Sequence, residues 1–357
     1  MKIAQIAPLY EAVPPKLYGG TERIVANLTD ALIKKGHDVT LFASGDSQTL
    51  APLHAGRDRA LRLDPAPLKS DLAAHYVMFD ELRERAGEFD VLHFHTDLLH
   101  FPFFESVAAK TLTTLHGRLD MTDLPTAFHR WRQYPLVSIS DSQRQPLPFA
   151  NWAGTVWHGL DPERYRFTAA PRGDYLAFLG RISPEKRPDR AIAIARQAGI
   201  PLKIAAKVDD ADKNYFRQVI EPLLQGGGVE FIGEINDRQK ADFLGQARAL
   251  LFPIDWPEPF GLVMIEAMAC GTPVVAWRCG SVPEVIEPGV TGFIVEDETQ
   301  AVAACRAVDA LDRCRVRTEF EQRFSADVMA DRYIQLYRRL RQPAANSDAL
   351  LHVEKAG

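Results

Sequence analysis

The chain has 357 residues, 46% of them apolar and 25% charged, with a formal net charge of −5. That is the composition of a soluble globular protein with room for two ordinary domains. The acidic balance argues against nucleic-acid binding, which calls for a basic surplus.

In chain order, KIAQIA at the start predicts a strand. TERIVANLTDALIKKG predicts a helix, with Ile24, Val25, Leu28, Ala31 and Leu32 on one face. Lys34 and Lys35 suit the negative end of its dipole, and Gly36 suits the stop. DVTLFAS, FDVLHFH, KTLTTLHG and LVSIS follow as strands. The second half repeats the alternation: YLAFLG, LKIAA, VEFIG, ALLFP, PVVA and GFIV are short apolar runs. Helical patterns such as RPDRAIAIARQAG, KNYFRQVIEPLL and DRQKADFLGQA separate them. Near-continuous apolar runs are the mark of parallel strands buried on both faces. The fold class is therefore α/β, with two doubly wound domains facing across a cleft. FTAAPRG, at 167–173, has the proline, glycine and small residues of a linker. The chain divides into 1–167, 168–325, a helix at 326–342 and a mobile tail at 343–357. From its own pattern the helix SADVMADRYIQLYRRL can pack on either domain.

No apolar run is long enough to span a membrane, and MKIAQIAPLY lacks the features of a signal peptide. Cys270, Cys279, Cys305 and Cys314 fit neither a zinc pattern nor a disulfide framework. They are read as reduced thiols in a cytoplasmic protein. FHRWRQY is a small basic–aromatic patch, so membrane contact is at most peripheral.

In doubly wound sheets the chemistry belongs to loops that follow strands. The first is YGGTER, where Gly19 and Gly20 precede a helix whose free N–H groups suit an anion; a plain flexible entry loop is the alternative. His93 and His95 share one face of a strand. With His116 they form a metal triad, or else His116 faces the cleft while His93 and His95 are ordinary satisfied histidines. In LGRISPEKRPD, Arg181 and Lys186 suit a diphosphate clamp, although Glu185, Arg187 and Asp189 mix the signs as in a solvated loop. In EPFGLVMIEAMACGTPVVA, prolines and Gly261 put Glu258 on a loop, while Glu266 falls inside a helix. The two acids are either one capping acid and one surface acid, or a pair from different elements aimed at one ligand, for which carboxylates suit sugar diols. The amides around Phe260, Gly261 and Leu262 suit an anion or a sugar hydroxyl. Gly280 and Ser281, with Glu284 beyond, read as another backbone cradle or as a turn. Asp210 and Asp212 match a metal-diphosphate pattern but read as the cap of the helix that follows.

The spacing Glu258–x7–Glu266, with EAMACGTPVVA and GSVPEVI…GVTGFIV, resembles the donor half of retaining family-4 glycosyltransferases. GRISPEKRPD, YGGTE and VWHGLDPERYRF are similar to that family's diphosphate loop, glycine loop and hinge segment. The resemblance covers roughly 1–340. It implies the GT-B architecture, two Rossmann-like domains with a terminal helix that returns to the first. It implies that Arg181 and Lys186 neutralise a departing diphosphate, Glu266 holds the ribose and Glu258 contacts the donor sugar. The Gly261 and Leu262 amides join Glu258, Gly19 and Gly20 face it, and His116 sits near donor and acceptor. Base contacts are expected after VEFIG, at Ile232, Gly233 and Glu234. The hinge reads His158-Gly159 where the family often has Asn-Gly, and the role of Lys207 stays open.

The function expected from this resemblance is hexosyl transfer from a nucleotide-diphosphate sugar to a hydroxyl acceptor. The donor is a UDP-hexose first and GDP-mannose second, with retained configuration and with neither metal nor cofactor. A nucleotide-sugar epimerase or hydrolase, a pyridoxal-dependent phosphorylase and a non-catalytic sugar-nucleotide binder are the alternatives.

Overall fold

The computed structural model describes residues 1–16 and 19–342; Tyr18 of the glycine loop and the tail at 343–357 lie outside them. Seven strands form the first sheet: β1 Lys2–Ile6, β2 Asp38–Ser44, β3 Leu53–Arg57, β4 Val91–Phe94, β5 Thr111–Thr114, β6 Leu136–Ser138 and β7 Trp152–Thr155. Their order is β3-β2-β1-β4-β5-β6-β7. Six strands form the second: β8 Leu176–Arg181, β9 Leu202–Lys207, β10 Val229–Gly233, β11 Ala249–Phe252, β12 Val274–Trp277 and β13 Gly292–Val295. Their order is β10-β9-β8-β11-β12-β13. Within each sheet neighbouring strands run parallel.

Both sheets reverse direction beside their first strand, between β1 and β4 and between β8 and β11. A crevice opens at the carboxyl end of such a switch point. The two crevices face each other. Glycines Gly19 and Gly20 follow β1, His95 and Asp97 follow β4, Arg181 ends β8, and the Glu258 loop follows β11.

Two strands, β3 and β7, carry no apolar run and escape prediction. They are the two edges of the first sheet. Leu53–Arg57 alternates between exposed and half-buried, and every residue of Trp152–Thr155 is half-buried. An edge strand has only one neighbour, so it needs less continuous apolar surface.

The chain crosses between domains twice, side by side. Leu160 N–H donates to Phe324 O at 2.9 Å, and Ala326 N–H donates to Leu160 O at 2.8 Å. A Cβ on Gly159 would lie 2.3 Å from Ser325 O, so only glycine fits where the segments touch. Ser325 then caps the terminal helix, Ala326–Arg341. That helix lies against the first domain. Tyr337 Oη is 3.0 Å from Gln5 Nε2 of β1 and 2.7 Å from His93 Nδ1 of β4, and Tyr333 Oη is 2.8 Å from Thr114 Oγ1 of β5. Its buried face, including Tyr333 and Tyr337, belongs to a continuous apolar cluster that runs from Ile24 and Leu28 to Leu250 and Met264.

Candidate active site

A cleft of about 800 Å³ lies between the domains. Gly19, Gly20, His116, Arg181, Lys186, Glu234, Glu258, Phe260, Gly261, Leu262 and Glu266 all line it. Ile232 and Gly233 do not. β10 is an edge strand, and Ile232 on it is 37% exposed. Gly233, at φ 76°, turns the chain so that Glu234 and Ile235 reach the wall instead.

The loop after β8 sorts its charges by pairing. Arg187, in the left-handed region at φ 53°, starts the helix Pro188–Ala198. Its guanidinium binds Asp189 at 2.9 Å and Asp255 at 2.9 Å. Arg181 lies 2.8 Å from Glu185 and 3.6 Å from Asp209. Lys186 donates to the Glu258 carboxylate and sits 4.9 Å above the Trp256 ring. Trp256 Nε1–H donates to Glu258 at 3.1 Å, which fixes the acid from a second side.

Gly261, at φ 77°, caps the helix Leu262–Ala269 without a side chain. A Cβ there would meet Met264 at 2.8 Å and Phe252 at 3.0 Å. The Gly280 loop supports this one and does not form a separate cradle. Ser281 N–H donates to Glu258 O at 3.0 Å, Ser281 Oγ donates to Phe260 O at 2.7 Å, and a Cβ on Gly280 would strike the Glu258 backbone at 2.4 Å. Glu284 reaches the first domain and accepts from Asp141 N and Ser142 N, both at 2.8 Å.

Glu266 is buried. Its Oε1 accepts from Lys240 at 2.8 Å and from Tyr165 Oη at 3.1 Å, and Arg23 Nε of the first domain is 4.0 Å away. Arg23 also pairs with Asp237, at the start of the helix Asp237–Gly245. These partners desolvate the region while keeping its charges matched.

On the first domain, Gly19 adopts extended backbone before the helix Gly20–Lys34. A Cβ on Gly19 would meet Pro15 at 2.7 Å. Glu22 in the first turn accepts its own amide and that of Glu11, and burial pushes its carboxyl up to about 7. His116 follows β5. Its Nε2 is 2.9 Å from His95 Nδ1, and its ring stacks on His158 with centroids 5.2 Å apart. Burial pushes the His116 imidazole down to about 3. Asp97 stands in the left-handed region at φ 48°, uncommon for a residue with a side chain. Its carboxylate accepts the backbone N–H of His116, and desolvation pushes it up to about 6.

Among the described residues no group of three His, Cys, Asp or Glu is placed to hold a metal ion. His93 and His95 instead bond to Gln5, Thr114, Tyr337 and His116. Asp210 and Asp212 sit in a short turn outside the cleft, and Asp212 makes no capping bond, contrary to expectation. Asp210 pairs with Lys213 at 2.6 Å. Lys207 lines the cleft and pairs with Asp209 at 2.9 Å.

Residues 163–326 match the family described as Glycosyl transferases group 1, and residues 18–147 match Glycosyltransferase Family 4. The glycogen synthase of Mycobacterium tuberculosis is 26% identical, over 92% of this chain and 94% of that protein. The chain belongs to glycosyltransferase family 4. The phosphatidyl-myo-inositol mannosyltransferase of Mycolicibacterium smegmatis is 24% identical to this glycosyltransferase, over 92% of this chain and 89% of that protein. Among solved structures, AviGT4, a glycosyltransferase involved in avilamycin A biosynthesis, matches with a TM-score of 0.70 at 26% identity, over 95% of this chain and 98% of that one. HepE of Anabaena, solved with UDP-glucose, matches with a TM-score of 0.70 at 20% identity, over 95% and 100%. The fold of this glycosyltransferase is thus GT-B, and it is an enzyme.

Several residues in or behind the cleft wall of the glycosyltransferase escape the sequence reading. Arg23 follows the glycine loop directly, and Asp97 lies two positions after His95, so both had a local signal. Trp256 precedes the Glu258 turn by one proline. Tyr165 and Lys240 have none, because only folding brings them to Glu266. No helix among the described residues is long and apolar enough to cross a membrane.

Proposed function

We propose that this glycosyltransferase moves a hexosyl group from a nucleotide-diphosphate sugar to a hydroxyl acceptor, with retained configuration and without a metal ion. The observation that carries this reading is the meeting of Arg181, Lys186, Glu258 and Glu266 in one cleft opposite His116. Breaking the anomeric C–O bond leaves its electron pair on the diphosphate and positive charge on the sugar. Arg181 and Lys186 offset the first charge from fixed positions. Lys186 trades Glu258 for diphosphate oxygens, and Glu258 then accepts from sugar hydroxyls. Lys240 and Tyr165 orient the Glu266 carboxylate for the ribose diol. The acceptor oxygen forms the new bond on the face the diphosphate leaves, and its proton passes to the departing phosphate.

UDP-hexose is the preferred donor and GDP-mannose the second. HepE in complex with UDP-glucose supports the first, and the mannosyltransferase relative supports the second. The test is nucleoside diphosphate release from a panel of UDP-, GDP- and ADP-sugars with hydroxyl acceptors, with and without chelator. Release that depends on acceptor and survives chelation is expected. Release that a chelator abolishes overturns the metal-free mechanism, and acceptor-independent turnover favours an epimerase or hydrolase.

A further inference from the structure

A continuous set of buried, hydrogen-bonding side chains runs from the terminal helix to the cleft. Tyr337 Oη lies 2.7 Å from His93 Nδ1 and 3.0 Å from Gln5 Nε2. Gln5 Oε1 lies 2.8 Å from His95 Nε2, and His95 Nδ1 lies 2.9 Å from His116 Nε2. Gln5, His93 and His95 are all buried, and so is Tyr337. The last atom of the set, His116 Nδ1, is buried and has no partner among the described residues.

We propose that Gln5 and His95 are positioning residues that fix the tautomer of His116, leaving Nε2 protonated and Nδ1 as a hydrogen-bond acceptor in the cleft wall. The order of protons follows from the donor inventory. Gln5 Nε2–H donates to Tyr337 Oη at 3.0 Å and also lies 3.3 Å from His93 Nδ1, so His93 Nδ1 faces donors and the Tyr337 hydroxyl donates to it. The Gln5 carbonyl then faces His95 and can only accept, so His95 Nε2 carries a proton. A neutral His95 has its lone pair on Nδ1, which requires the proton on His116 Nε2. A neutral His116 is left with a lone pair on Nδ1. Burial keeps both imidazoles neutral, since it pushes His95 well below its ordinary value and His116 down to about 3. His116 is thereby committed to accepting a hydrogen bond from a hydroxyl group, not to donating one. The assignment of a hydroxyl ligand rests on the proposed transfer reaction; the assignment of the tautomer does not.

The test is a long-range proton–nitrogen correlation spectrum of protein labelled with ¹⁵N-histidine, recorded without nucleotide or acceptor, with His116→Gln to identify the signals. The Nε2–H pattern is expected for His116. Gln5→Met removes the carbonyl that holds His95, and His116 is expected to populate the Nδ1–H form. In the transfer assay the same variant is expected to lose about tenfold in kcat, with KM within twofold. An Nδ1–H pattern in the unmodified protein overturns the proposal, whether or not Gln5→Met folds. So does a folded Gln5→Met variant with the His116 tautomer unchanged. Failure of transfer with an Nε2–H pattern intact counts against the reaction and not against the relay.

Discussion

Lys186 lies against two side chains with opposite consequences. The Glu258 carboxylate pairs with its ammonium, and the Trp256 and Phe252 rings, 4.9 Å and 5.9 Å away, restrict where that ammonium can go. Replacing it with alanine leaves the Glu258 carboxylate its bond from Trp256, and the Ser281 bonds still hold the loop. Lys186→Ala is expected to lower the transfer rate about 10²-fold with the fold intact; unchanged turnover at saturating donor would remove Lys186 from the chemistry. The sequence shows this lysine as a cation after a strand end, but not that it is distinct from Arg187. Arg187 is committed to Asp189 and to Asp255, and Asp255 lies 68 positions away. Glu22 carries a second residue-scale consequence. Its folded pKa, about 7, lies above the ordinary 4.5 because burial penalises the charge. Between those values the folded chain holds a proton that the unfolded chain has released. Its contribution to stability is therefore complete below pH 4.5 and is lost as pH rises through about 7. Denaturation measured at pH 5 and pH 8 is expected to show Glu22→Gln losing less stability over that interval than the unmodified protein. The difference is on the order of 3 kcal/mol, and parallel curves would show that Glu22 ionises as an ordinary surface acid.

The crossover between domains turns on one glycine, Gly159, packed against the first residues of the terminal helix. The contact at 2.3 Å is with the Ser325 carbonyl, and the next is with Met329 Cβ at 2.8 Å. Neither can swing aside as the far end of a flexible side chain can. Gly159→Ala is expected to destabilise the protein by about 1–3 kcal/mol through overpacking. Urea unfolding checks this, and an unchanged midpoint would mean that the two segments separate without cost. The elements around this point were unequally legible. The terminal helix announces itself by Tyr333, Ile334 and Tyr337, but its own pattern does not say which domain it joins. That choice is made by Gln5, His93 and Thr114, polar groups on three strands of the first sheet. The central strands were legible because both faces are buried, whereas β3 and β7 were not because an edge needs no apolar run. Glu258 and Glu266 were legible as a pair since one turn and one helix separate them. In sequence the Gly280 loop reads as either cradle or turn, because its partner, the Glu258 backbone, is fixed only by folding.

Across the whole molecule, the side-chain contacts that join the domains are hidden from the sequence. Alternating strands and helices reveal two sheets, and the switch points follow from their order. What the alternation does not reveal is how the two crevices are held face to face. Arg23 and Asp237 stand 214 positions apart, yet they pair across the cleft. The Arg23 side chain is only 8% exposed, and partners from the other domain face its charge. Those partners are Asp237 and, at 4.0 Å, Glu266. Glu284 makes the converse contact, carrying a second-domain carboxylate to the amides of Asp141 and Ser142. Arg23 is therefore expected to govern closure. Arg23→Met removes the cation while keeping much of the side-chain bulk, and Lys240 still matches Glu266. Small-angle scattering of the nucleotide-free protein should show a larger radius of gyration for this variant. Asp237→Asn should produce the same change. Because the two residues act through one contact, the double variant should be no more open than either single one, and stability measurements on the cycle should give a coupling of about 0.5–3 kcal/mol. Additive effects, or an unchanged radius, would place the hold on the domains elsewhere, with the Leu160–Ser325 crossover and the Glu284 contact among the other ties.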